Sequence, residues 1–303
     1  MHVFVTGGSG QTGPTVVTEL IAAGHTVTGL ARSDTSAQRL QALGAAVHRG
    51  SLDDLDSLRR GVDGTDGVLH MGYGGDFAKP EEMMHRDTNA IDTFGRALTG
   101  SDKPLVVTSG TLVLPMDRES TETDEPLEDG IAGFRVAGER ACLAFAEKGV
   151  RAIVVRLAPT VHGPQDHGFI PMLIATAREK GVSSYVGDGT NRWPAVHRRD
   201  AAVLFRLALE KAPVGSVLHG VAEPGVAFKD IAATIARGLD LPTASLSREE
   251  ASTHYVNSFM GMIYGVDAPV SSIRTQHLLG WTPTHGGLLQ DLKHGDYLTA
   301  SVA

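Results

Sequence analysis

The sequence predicts an α/β protein: a doubly wound parallel sheet with a smaller C-terminal capping lobe. Three observations carry this. From residue 2 to residue 157, short apolar runs alternate with longer helix-like segments. The runs are apolar on both faces and end in Gly, Ser or charged residues, as strands buried inside a parallel sheet do. A glycine-rich turn joins the first run to the first helix-like segment, and the alternation loosens after Gly163.

The strand-like runs are residues 2–6, 26–31, 46–49, 67–71, 105–108 and 152–157. Between them, 13–23, 35–43, 52–61, 84–98 and 136–148 read as helices, which implies repeated right-handed βαβ units. Further on, 168–180 and 200–211 read as helices, 185–194 as a Gly-rich turn segment and 217–221 as a strand. Residues 228–239 and 248–262 read as two more helices, and the acidic stretch 118–129 as a solvated loop. Residues 1–165, with 196–222 returning to them, are expected to form the nucleotide-binding domain, and 166–195 with 223–303 the cap.

A chain of 303 residues, 42% hydrophobic, can bury one large core or two fused lobes. Its net charge of −8 argues against binding nucleic acid through a basic surface, so an anionic ligand must be held by local groups. The single cysteine, Cys142, lies in an apolar helical stretch and reads as a buried, inert thiol. With no charged leader and no long apolar run, a cytoplasmic protein with no membrane partner is expected. The 13 histidines show neither HxxxH nor HExxH spacing, so no metal site is expected.

Gly7-x-x-Gly10-x-x-Gly13 follows the first strand directly and opens the first helix. The first glycine permits a tight turn, the second lets backbone approach a pyrophosphate, and the third lets the helix pack closely on the strand. The helix N-terminus then offers N–H groups and partial positive charge to phosphates, with Gln11 and Thr12 in the same turn. The same spacing recurs at Gly61, Gly64 and Gly67, where it precedes a strand and reads as a loop. The N-terminal copy therefore marks a dinucleotide cradle in a Rossmann-type domain. At the end of the second strand stand Arg32 and Ser33. A guanidinium there can pair with a 2′-phosphate, so the expected cofactor is NADP(H). Asp34 is the group that would serve NAD(H) instead.

Further motifs resemble one family. Residues 6–13 look like its TGxxGxxG turn, 50–54 (GSLDD) like its GDLxD segment near the adenine, and 68–72 (VLHMG) like its VxHxA fourth strand. Residues 156–164 (RLAPTVHGP) look like RxxxVYGP, 187–200 like GDG…R…hVxD, and 279–283 (LGWTP) like LGWxP. On these residues the chain resembles the extended, or atypical extended, short-chain dehydrogenase/reductases, over nearly its whole length. The resemblance implies that Ser51, Leu52, Met71, Gly72, Thr108 and Pro159 join the cofactor site. It makes Asn89 the asparagine of the fourth helix. It sets His162, Arg192 and His197 near a small-molecule substrate. Such folds often pair helices into homodimers.

The family's catalytic Tyr-x-x-x-Lys is replaced. Anchored on Glu139 and Arg156, the two positions are Ile131 and Arg135, and no tyrosine lies between Tyr73 and Tyr185. Isoleucine transfers no proton. Arg135 can still hold a nicotinamide ribose, but it stays charged and is a poor acid. Tyr73, after the fourth strand, is a substitute proton donor or else a loop aromatic packed on the cofactor. Ser109 and Thr111 flank Gly110, where the family's Ser/Thr falls; they hydrogen-bond a substrate oxygen or simply cap the strand turn. His167, beside Asp166, is a candidate acid or base, or a solvent-facing group. Arg192 could pair with an anionic substrate group, or pack with Trp193 as a corner. Three functions follow: an NADP(H)-dependent reductase of a carbonyl or polarised double bond, a redox-neutral isomerase, epimerase or lyase, or a nucleotide-binding sensor without turnover.

Overall fold

The structure is a computed structural model and describes residues 1–74 and 79–298. In chain order its first half runs β1 (His2–Thr6), α1 (Gly13–Ala22), β2 (Thr26–Ala31), α2 (Asp34–Ala42), β3 (Ala46–Arg49), α3 (Leu55–Val62), β4 (Gly67–His70), α4 (Pro80–Leu98), β5 (Pro104–Gly110), α5 (Val136–Leu143) and β6 (Arg151–Leu157). The second half runs β7 (Thr160–His162), α6 (Phe169–Lys180), β8 (Ser183–Val186), β9 (Arg192–His197), α7 (Arg198–Lys211), β10 (Ser216–Gly220), β11 (Glu223–Ala227) and α8 (Phe228–Leu239). It ends with β12 (Thr243–Leu246), α9 (Arg248–His254), α10 (Ser258–Ile263), α11 (Ile273–Leu279) and α12 (Leu288–His294).

Seven parallel strands form the central sheet in the order β10-β6-β5-β4-β1-β2-β3. The chain leaves β1 towards β2 and β3, then returns to lay β4 on β1's other side. Where the order reverses, the carboxyl ends of β1 and β4 open a crevice. Strand side chains alternate between faces, and the two faces feed separate cores. Val3, Val5, Leu69, Val106 and Ile153 pack with Val16, Val17, Leu20 and Phe205 of α1 and α7. Phe4, Val68, Leu105, Val107 and Val154 pack with Leu58, Ile91, Phe94 and Cys142 of α3, α4 and α5. A third cluster, around Trp193, Phe228 and Tyr264, joins α6, α8, α9, α10 and α12 to two small sheets, β11-β9-β7 and β12-β8. Among the described residues no helix is long and apolar enough to cross a membrane.

Several boundaries differ from the sequence expectation. The fifth strand extends to Gly110 because Ser109 and Gly110 still pair with Arg156 and Leu157. The third helix starts at Leu55, where the Asp54 carboxylate accepts from Ser57 N at 2.9 Å. The span 248–262 is two helices: Tyr255 is extended, and Asn257 restarts the helix by accepting from Met260 N. The span 185–194 is not all turn. Gly187 and Gly189, at φ 61° and 68°, connect β8 to the start of β9. The stretch 118–129 is pinned as well as solvated: Ser120 is fully buried, and Glu122 Oε1 accepts from Thr275 N at 2.7 Å.

Candidate functional site

A cleft of about 350 Å³ lies at the carboxyl edge of the sheet. Gly7, Gly10, Gln11, Thr12, Gly13, Arg32, Ser51, Leu52, Met71, Gly72, Tyr73 and Thr108 line it, twelve of the residues singled out in the sequence. Gly7 is left-handed at φ 72°, and a Cβ there would stand 2.6 Å from the Met71 carbonyl carbon. A Cβ on Gly13 would meet the Gly8 backbone at 2.6 Å, so α1 packs directly on the turn. Gly10 differs: a Cβ there meets nothing but Gly7 O, at 3.2 Å, and would project into the cleft. Thr12 caps α1 without a side-chain hydrogen bond, which leaves the first-turn amides to the cleft.

At the end of β2, Arg32 is exposed and makes no ion pair among the described residues. Asp34 is exposed and pairs with Arg49, its Oδ1 2.5 Å from Arg49 Nη2. Ser33 does not line the cleft; its Oγ accepts from Ser36 N and caps α2, and Ser36 lines the wall instead. Sequence reasoning also missed Leu30, Asp53 and Arg86 in that lining. Arg86 Nε lies 2.7 Å from Asp53 Oδ1.

A buried polar chain sets the crevice floor. Gly72 N donates to Thr6 Oγ1 at 3.0 Å, Thr6 Oγ1 lies 2.6 Å from His70 Nδ1, and His70 Nε2 lies 3.0 Å from Asp87 Oδ1. This corrects the assignment of Asn89: Asn89 is exposed, and the buried polar side chain at this part of α4 is Asp87. Gly138 leaves the room Asp87 uses, since a Cβ there would approach its Oδ2 to 2.5 Å.

Beside that floor, three adjoining segments carry five buried polar atoms without partners among the described residues: Tyr73 Oη, Thr108 Oγ1, Ser109 Oγ, Thr111 Oγ1 and Arg135 Nε. Buried polar atoms are nearly always paired, so this concentration suits a polar ligand. Arg135 Nη2 donates to Thr108 O at 2.5 Å, and its guanidinium carbon stands 3.5 Å above the Tyr73 ring centroid. Phe134 stacks on the same tyrosine. Burial pushes the Tyr73 phenol above its ordinary value, with Arg135 opposing the shift.

Ser109, Thr111 and Arg135 are not lining residues of the cleft, and neither are the remaining candidates. Pro159 follows β6 and is half-buried. His167 is exposed; its backbone N donates to Gln11 Oε1 at 3.0 Å, while its ring turns to Gln165 O in its own loop. The structure thus does not bring its imidazole to Tyr73, Ser109 and Thr111. The Asp166 carboxylate pairs with Gln11 and accepts from Tyr297 Oη, not from His167. Arg192 is exposed and held at two points by Asp267, at 3.0 and 2.7 Å, away from His162 and His197. That pairing neutralises the charge an anionic substrate would need.

His162 and His197 are both buried, 5.4 Å apart as rings. His162 Nδ1 lies 2.6 Å from Asp291 Oδ2. His197 stacks on His285 at 4.6 Å and 8°, and its Nδ1 accepts from Arg199 N at the start of α7. Burial pushes His197 down to about 4, opposed by Asp291. Among the described residues, His197, Asp200 and His285 come close enough together to suggest a cation site. The two imidazole planes are parallel, however, and lone pairs in parallel planes do not converge on one ion.

The glycine cradle that a Cβ on Gly10 would fill, the uncapped helix end and the unpaired Arg32 fit a phosphate-bearing dinucleotide. Residues 3–218 match the NAD dependent epimerase/dehydratase family. The uncharacterized protein C2A9.02 of Schizosaccharomyces pombe is 47% identical over 298 residues, covering 98% of this chain and 100% of the relative. A 4-hydroxy-2-methyl-3-oxo-4-farnesyl-3,4-dihydroquinoline-1-oxide ketoreductase of Stigmatella aurantiaca is 30% identical over 226 residues, covering 72% of this chain and 67% of the relative. In fold, the chain is similar to DesIV, a dTDP-glucose 4,6-dehydratase from Streptomyces venezuelae, with TM-score 0.80, 17% identity, and 98% and 96% of the two chains covered. With a matched segment that runs from the first strand of the sheet into its last, the chain belongs to the NAD dependent epimerase/dehydratase family.

Proposed function

We propose that this protein is an NADP(H)-dependent oxidoreductase that reduces a carbonyl or another polarised double bond of a small molecule. The observation that carries the reading is the contrast at the end of β2. Arg32 lines the cleft with no ion-pair partner among the described residues, while Asp34, the group that would hold the ribose of NAD(H), is engaged by Arg49. A free guanidinium there favours the 2′-phosphate of NADP(H). Arg192, matched by Asp267, offers no spare charge to a phosphorylated substrate, which favours an uncharged one. The likeness to a ketoreductase supports the same class.

The test is a fluorescence titration with NADPH and NADH. Ketones, enones, quinones and imines are then added while absorbance at the nicotinamide band is followed. The expected result is tighter binding of NADPH and its oxidation by at least one member of the panel. Tight binding without oxidation overturns the reductase in favour of a sensor or isomerase. Binding of neither nucleotide removes the cofactor as well.

A further inference from the structure

We infer that Tyr73 is the proton donor of this site and that Arg135 is its positioning cation, an inference that rests on the oxidoreductase reading above. Among the described residues that line the cleft, Tyr73 carries the only phenol, and there is no imidazole or thiol. Its hydroxyl is buried; the Arg135 guanidinium is close enough to donate to its oxygen, but its proton meets no acceptor among the described residues. Holding a hydroxyl out of water unpaired costs stability, and a substrate oxygen would complete it.

Arg135 occupies the position the sequence assigns to the missing lysine, yet it lies face-on over the Tyr73 ring, 3.5 Å from its centroid. The bond from Nη2 to Thr108 O, at the end of β5, holds it there. A guanidinium above the ring face is attracted to the π system and more strongly to a phenolate. It therefore stabilises the anion that forms when the proton leaves, without itself being able to give one.

The step balances as follows. The substrate carbonyl carbon accepts hydride from the reduced nicotinamide nucleotide, and the carbonyl oxygen accepts the Tyr73 proton. The C=O π bond is replaced by C–H and O–H bonds, and the nucleotide is oxidised. The phenolate regains its proton from water entering the cleft. Burial keeps the phenol above its ordinary value of 10.0, so the donor is protonated across neutral and mildly alkaline pH. That suits reduction, which needs an acid, better than oxidation, which needs a base.

The experiment compares wild type with Tyr73→Phe, Arg135→Ala and Arg135→Lys. Four quantities are read: NADPH affinity, melting temperature, turnover of the best carbonyl from the panel, and ultraviolet titration of the tyrosines. Tyr73→Phe should bind NADPH as wild type does, melt no lower than wild type, lose one alkaline-titrating phenol, and lose about 100- to 10,000-fold in turnover. Arg135→Ala should move the Tyr73 titration to higher pH and lower turnover, and Arg135→Lys should restore part of both. Turnover by Tyr73→Phe within about threefold of wild type overturns the proton donor and leaves the oxidoreductase standing. A Tyr73 titration unmoved in Arg135→Ala overturns the positioning cation, because a merely structural arginine would leave it in place. Wild type that fails to oxidise NADPH with any of the panel overturns the functional reading, and the donor with it.

Discussion

Glu139 and Arg156, separated by 17 residues in sequence, form a buried two-point ion pair: Nε stands 3.0 Å from Oε1 and Nη2 stands 2.7 Å from Oε2. Both side chains are almost fully buried, 2% and 3% exposed. The pair ties α5 to β6 and fixes the rotation of the helix that Arg135 N-caps.

Removing one partner strands the other charge in the core. Arg156→Ala should therefore lower unfolding free energy by about 3–5 kcal/mol, measured by urea denaturation. Replacing both partners by leucine or methionine should recover most of that loss, because no charge is then left buried. A double variant as unstable as the single one would show that packing, not charge, is what the pair supplies.

These two residues also show what was legible in sequence. Both stand out in the motif pattern of the sequence, and the structure shows them to be a physical contact. The glycine turn was legible because Gly7 and Gly13 are demanded by local backbone geometry. What stayed hidden was tertiary. Nothing local to Tyr73 announces that Arg135 covers its ring, or that Asp267 takes Arg192. The motif points to Asn89, while the buried polar side chain is Asp87, and two positions on a helix turn a side chain by about 200°, to the opposite face. Strand β9 was obscured because the turn glycines and Pro194 lie beside and within it.

The three glycines should not respond alike. Gly13→Ala places a methyl against backbone atoms of Gly8, which cannot swing aside, and should cost on the order of 2–3 kcal/mol in stability. Gly10→Ala meets only Gly7 O, at 3.2 Å, and should lower the melting temperature far less than Gly13→Ala does. It should nevertheless weaken NADPH binding by about tenfold or more, since the methyl stands where a pyrophosphate would approach. Calorimetric melting and nucleotide titration of the two variants separate these effects; equal losses of stability would refute the distinction.

Arg32 tests cofactor choice directly. One charge-assisted contact to a 2′-phosphate accounts for about tenfold to a hundredfold in affinity. Arg32→Ala should weaken NADPH binding by that factor and leave NADH binding within about twofold, and the difference should shrink as salt is raised. Because the side chain is exposed and has no ion-pair partner among the described residues, folding stability should not change. If NADPH and NADH weaken together, Arg32 does not read the 2′ position.

His197 links the fold to pH. Its ring faces His162 of β7, His285 before α12, Asp291 of α12 across 3.8 Å, and Asp200 of α7. Burial holds it at about 4, below its ordinary 6.5, so the folded protein refuses a proton that the unfolded chain accepts. For a depressed base, stability is complete above 6.5 and falls as pH drops towards 4, where the loss levels off. The full effect is at most roughly 3 kcal/mol. His197→Asn keeps an acceptor for Arg199 N at the start of α7 but cannot titrate. Urea unfolding of wild type and variant at neutral pH and near pH 5 should show a steeper decline in wild type. Parallel declines would mean that the proton refused on folding belongs to another group.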